Sequence, residues 1–67
     1  MRGTVASVID GGSVIRLLCL NSDGLFTVDF DRRCFQHFAE AVEAEGKSLK
    51  GLEIEYDDDD QVVRIAE

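Results

Sequence analysis

The chain reads as a mainly β protein with one helix, five strands in the order β-β-β-α-β-β that close into a small barrel. Three observations predict this. Apolar residues alternate at a period of two, or run continuously, through five short segments. The period switches to that of a helix once, between the third and fourth segments. Glycine- and aspartate-rich turn signals separate the strands. At 67 residues the chain makes one domain, 1–67. Its 45% hydrophobic and 31% charged residues are a globular composition and not a disordered one.

The first strand spans Thr4–Ile9 and ends at the turn Asp10-Gly11-Gly12-Ser13. The second, Ser13–Leu20, is apolar at nearly every position except Arg16, as expected of a central strand covered for part of its length on both sides. Asn21-Ser22-Asp23-Gly24 turns it into the third, Leu25–Phe30, where Phe26, Val28 and Phe30 alternate with Leu25, Thr27 and Asp29. From Arg32 to Glu45, Phe35, Phe38, Ala39 and Val42 share one helical face. Asp31 is placed to cap that helix, Phe30 and Phe35 to staple it, and Gly46 to close it. Leu52, Ile54 and Tyr56 then mark a fourth strand, and Val63 and Ile65 a fifth, joined by Asp57-Asp58-Asp59-Asp60.

This order is that of the five-stranded OB barrel, whose helix lies between the third and fourth strands. An SH3-like barrel, or an α+β sheet with one packed helix, is the alternative. Certain segments also resemble small OB proteins that bind RNA or single-stranded DNA, the cold-shock proteins and bacterial translation initiation factor one. They are the opening Gly3-Thr4-Val5, the run Phe26-Thr27-Val28-Asp29-Phe30, and Ser48-Leu49-Lys50-Gly51 leading into Glu53-Ile54-Glu55-Tyr56. The resemblance covers about half the chain, mostly at structural positions. It implies a binding face on the second and third strands, where cold-shock proteins carry base-stacking aromatics. Laid over this chain, those positions are Val14, Arg16, Thr27 and Asp29, so the stacking platform is missing.

Charge points the same way. Fourteen acidic residues against seven basic give a net charge of −7, which disfavours binding a phosphate backbone by bulk charge. The excess gathers on the helix and in the last hairpin, whereas the part up to Leu25 is close to neutral. Asp57–Asp60 lacks the ligand spacing of a calcium loop and reads as a solvated turn. Cys34 and His37 lie three apart on the helix, and Cys19 is on the second strand. A metal site would need a fourth ligand and a catalytic pair a third, orienting residue. We therefore expect no enzyme activity, no metal and no cofactor, with both cysteines reduced and buried. Arg32 and Arg33 are expected to pair with Asp29, Asp31 or an acidic partner, and Arg64 to face Glu53 or Glu55 across the last hairpin.

With no apolar run of the length a membrane span needs and no signal-peptide pattern, the expected location is the cytoplasm, away from membranes. The expected function is that of a non-catalytic binding or adaptor domain acting on another protein or on a second copy of itself. Val14, Arg16, Leu18, Thr27 and Arg64 are its candidate binding residues on the outward face. Val8, Val62, Ala66 and Leu25 are expected to extend an apolar patch there. The alternative is a single-stranded nucleic-acid module in which Arg2, Arg16, Lys50 and Arg64 converge.

Overall fold

The protein is described here as a computed structural model covering residues 1–66. Five strands form one antiparallel sheet: β1 (Arg2–Asp10), β2 (Val14–Asn21), β3 (Gly24–Asp31), β4 (Glu53–Asp57) and β5 (Val62–Ile65). The single helix, α1 (Arg32–Ala44), follows β3. Strand order across the sheet is β3-β2-β1-β4-β5, so β3 and β5 are its two edges, with no ladder between them.

Both predicted hairpin turns are present. Each is held by a side chain that stands in for a backbone acceptor. Asp10 Oδ1 accepts from Gly12 N at 2.9 Å, and Asn21 Oδ1 accepts from Asp23 N at 2.9 Å. Gly12 (φ +90°) and Gly24 (φ +129°) take backbone angles that other residues rarely adopt.

The helix starts and stops where its sequence signals lie. Asp31 stays extended and its Oδ1 accepts from Cys34 N at 2.7 Å, an N-cap bond. Phe30 and Phe35 close the staple with ring centroids 6.0 Å apart, edge to face. At the other end Gly46 N bonds Glu43 O (2.9 Å) and Lys47 N bonds Val42 O (3.1 Å). With Gly46 at φ +72°, this is the paired-bond Schellman stop.

The core lies between the concave face of the sheet and α1. Val5, Leu17, Cys19, Val28, Val42, Leu52 and Ile54 are buried in one cluster. Phe30 bridges sheet and helix, stacking on Phe38 at 5.5 Å. No polar or charged residue is buried among the described residues, so packing alone defines this interior.

β1 bends to serve two neighbours. Its ladder with β2 shifts register between Val5 and Ser7, a bulge at Ala6. Its first half pairs simultaneously with β4 through Arg2, Gly3 and Thr4. Gly3 faces inward there, and a β-carbon on it would sit 2.6 Å from Phe26 Cε1 and 2.8 Å from Leu20 O. Only a glycine lets the Phe26 ring lie over β1.

Candidate functional site

Residues directly opposite in an antiparallel ladder share a face, so the registers sort the sheet into inside and outside. On β2, Ile15, Leu17 and Cys19 point into the core, leaving Val14, Arg16, Leu18 and Leu20 outward. The partners of these outward residues on β3 are Asp31, Asp29, Thr27 and Leu25. On β1 they face Ile9, Ser7 and Thr4 opposite Arg16, Leu18 and Leu20. Four of the five predicted binding residues, Val14, Arg16, Leu18 and Thr27, thus share one convex face.

Arg64 does not join them. It lies on β5 opposite Glu55, two strands beyond β1, beside Met1, Tyr56 and the acidic turn. Arg2, the register partner of Glu55 on the β1 side of β4, pairs with Glu53 at 3.3 Å.

The convex face is apolar at both ends. Ile9 and Val14 line a shallow hollow of about 210 Å³ beside Arg16. At the opposite end Leu20 and Leu25 stand across from each other, 51% and 61% exposed, next to half-buried Leu18. Between the two lies a fork-to-fork ion pair. Arg16 Nε donates to Asp29 Oδ1 (2.8 Å) and its Nη2 to Asp29 Oδ2 (3.1 Å). The bond and charge of Asp29 raise the Arg16 pKa, and Arg16 lowers that of Asp29. The cation that the sequence places on this face is therefore already occupied.

The patch differs in membership from the sequence expectation. Val8 is opposite Leu17 and so belongs to the inward side, although the strand end leaves it 38% exposed. The bulge at Ala6 reverses the alternation along β1, exchanging Val8 for Ile9. Val62 is exposed on β5, far along the sheet from Leu25. Leu20 and Ile9 were the members missed. Leu20 could have been found by counting back from the Asn21 turn, because it mirrors Leu25 across that turn. Ile9 could not, since a bulge leaves no mark in periodicity.

Arg32 also pairs differently than expected. Its Nη2 reaches Asp10 Oδ1 at 2.6 Å and its Nε donates to Gly12 O at 2.7 Å, tying the start of α1 to the first hairpin turn. Asp29 is taken by Arg16 and Asp31 by the helix cap, which leaves Asp10 as the available carboxylate. The Gly12 amide and Arg32 together hold the Asp10 carboxyl below its usual range.

Cys19 is buried, as expected, and burial pushes its thiol pKa up. Cys34 is exposed, correcting the expectation that both thiols are buried. It occupies the third helical position, where its amide caps to Asp31 while its side chain turns out from the phenylalanine stripe. The Asp31 carboxylate raises its pKa, the reverse of what an activated nucleophile needs. No group of three or more metal-capable side chains occurs among the described residues. Asp57–Asp60 forms a turn whose Asp57 Oδ1 accepts from Asp59 N at 3.0 Å and Asp60 N at 3.4 Å, so one carboxylate is spent on the loop itself.

One further feature lies at the seam of the sheet. Edges β3 and β5 flank a cleft of about 340 Å³ lined by Thr27, Val28, Asp29, Phe30, Tyr56, Gln61 and Val63. No helix of the described residues is long and apolar enough to cross a membrane. Comparison with protein-family models, curated proteins and solved structures finds no match.

Proposed function

We propose that this chain is a non-catalytic binding module of the OB type whose partner is another protein, engaged through the convex face of β1, β2 and β3. The element order and the strand order β3-β2-β1-β4-β5 support the OB reading. The observation that carries the function is the pairing of Leu20 with Leu25 on an exposed face whose arginine is locked to Asp29. An apolar surface with its charge internally neutralised suits a protein partner better than a phosphate backbone. Self-association through the same face is the simplest form of this reading.

Single-stranded nucleic acid is the second reading, carried by Arg16 on the strand pair that OB proteins use. It requires the Arg16–Asp29 and Arg2–Glu53 pairs to open against a net charge of −7.

Amide shift mapping separates the two. Increasing protein concentration is expected to move Leu18, Leu20 and Leu25, with the Leu25→Ser variant abolishing the effect. Short oligothymidine is expected to move nothing at low salt. Shifts on β2 and β3 that weaken steeply with salt would establish the nucleic-acid reading instead. Concentration-independent spectra would remove self-association.

A further inference from the structure

The backbone bonds of the sheet leave both walls of the seam unpaired. Along β2, Val14 O accepts from Gly11 N on the β1 side, while Ser13 O accepts from Arg32 N on the β3 side. Backbone groups alternate in direction along a strand, so Ile15, Leu17, Cys19 and Asn21 turn toward β3. Their register partners Phe30, Val28, Phe26 and Gly24 return those bonds. The N–H and C=O groups of Leu25, Thr27 and Asp29 consequently point away from β2, into the seam. The same reasoning applies to the far wall. Ala66 N bonds Glu53 O, and Tyr56 N bonds Met1 O, so Val63 and Ile65 aim their backbone groups away from β4. No ladder joins these five to a further strand among the described residues.

Direction decides what suits the gap. Each neighbouring pair in the order β3-β2-β1-β4-β5 is antiparallel, which makes β3 and β5 parallel to each other. Direct pairing of the two edges would be a parallel ladder in an otherwise antiparallel sheet. An additional strand running opposite to both would meet each edge in the antiparallel sense and complete a ring of six. The four residues of β5 set roughly 13 Å as the doubly bonded length.

We propose that the β3–β5 seam is a strand-addition site for an extended, cationic segment of a partner protein, with alternate apolar residues. Inward side chains of that segment would meet Val28, Phe30, Tyr56 and Val63, which line the cleft. Outward ones would lie beside Thr27 and Asp29, with Gln61, the residue that follows the acidic turn in sequence, also on the lining. With Asp29 already paired to Arg16, it is the net charge of −7 that favours Lys or Arg over Asp or Glu at the outward positions. A second copy of the chain is the poorer occupant of this seam, because it brings a net charge of −7 of its own. The mode is main-chain recognition, with affinity from the ladder and selectivity from alternate side chains. It rests on the reading of the chain as a protein-binding module and not on the convex face.

The test is amide hydrogen exchange with a blocked peptide of eight residues, alternating valine and lysine, matched to the eight of β3. At peptide about tenfold above its dissociation constant, exchange at Leu25, Thr27, Asp29, Val63 and Ile65 is expected to slow about tenfold. The glutamate version of the peptide is expected to give none of this protection. Thr27→Pro removes a seam-facing N–H without touching the β2 ladder. It is expected to abolish the peptide effect while Phe26 and Val28 stay protected; Thr27→Ala is expected to retain it.

Three results overturn the proposal. They are protection of the five amides without peptide, which means the edges pair with each other; protection that grows with protein concentration alone, which makes the occupant a second copy; and peptide binding that leaves the five amides unchanged. If the seam fails while Leu18, Leu20 and Leu25 still respond to protein concentration, the binding-module reading stands and only the strand site is lost.

Discussion

Replacing Gly3 by alanine isolates the contact that lets β1 bend under the Phe26 ring. Gly3 does not have a positive φ, so alanine fits its backbone. At such a site alanine ordinarily stabilises by about 0.4–1 kcal/mol, because it restricts the unfolded chain. Here the new methyl would lie 2.6 Å from Phe26 Cε1 and 2.8 Å from Leu20 O. The ring can rotate aside, but the carbonyl belongs to the β1–β2 ladder and moves only with the strand. Overpacking of this kind costs about 1–3 kcal/mol, and mid-range values set against the entropic gain leave a net loss of about 1 kcal/mol. For a domain of this size that lowers the melting temperature by roughly 4–8 °C. Thermal unfolding followed by circular dichroism measures it. Adding Phe26→Leu to Gly3→Ala removes the ring contact and leaves the carbonyl contact, so recovery should be partial and the two changes non-additive. A Gly3→Ala protein that melts at or above the wild-type temperature would refute the argument that a bare backbone is needed there.

Acid unfolding provides a second prediction. The Asp31 carboxyl is held below its ordinary value chiefly by the Cys34 amide, Asp29 by Arg16, and Asp10 by the Gly12 amide and Arg32. Lowered folded-state values mean that their stabilisation is complete above the unfolded carboxyl value, near ~3.9, and drains away as pH falls through the lower folded values. Asp31→Asn preserves a cap while removing that group's titration, so urea midpoints below about pH 4 should depend less on pH in the variant than in wild type. The third prediction concerns thiols. Under native conditions a thiol-reactive probe should modify Cys34 and spare Cys19 until the chain unfolds. In Asp31→Asn the Cys34 reaction should accelerate at neutral pH, because the neighbouring carboxylate that disfavours its thiolate is gone. Equal modification of both thiols in the folded state would contradict the burial of Cys19.

Local chemistry carried most of the fold. The Asp31 cap, the Phe30–Phe35 staple, the Gly46 stop and both tight turns depend on residues within a few positions of one another, and the sequence displays them directly. Element order followed from the same signals. What escaped was non-local. The Ala6 bulge exchanges Val8 for Ile9 on the outer face without disturbing the count of apolar residues. Arg32 finds Asp10 across 22 positions only because β3 and the first hairpin turn end side by side. The exposure of Cys34 depends on how α1 is rotated over β2 and β3, which Phe30 and Phe38 decide. The unpaired walls of the seam depend on backbone bond direction, a property that hydrophobic patterning does not record. Of the candidate site, Thr27 was readable from the alternation of β3, and Val14 and Arg16 from the cold-shock resemblance, because the nearly continuous apolar run of β2 does not sort its two faces, whereas the separation of Arg64 required the strand order.

The double pairing of β1 also has a kinetic consequence. The β1–β2–β3 meander joins residues close in sequence, but the β1–β4 ladder joins Gly3 to Ile54 across 51 positions. Closing a loop of that length carries an entropy cost that must be met before the contact returns any free energy. The meander and the helix should therefore form ahead of the last hairpin, with the inner edge of β1 waiting for Leu52 and Ile54. Changes in the β4–β5 hairpin should then mainly accelerate unfolding, while changes in Leu17 or Val28 slow folding. During synthesis the first three strands leave the ribosome with that edge of β1 still open, so the late arrival of Glu53–Asp57 is the step that shields it from other chains.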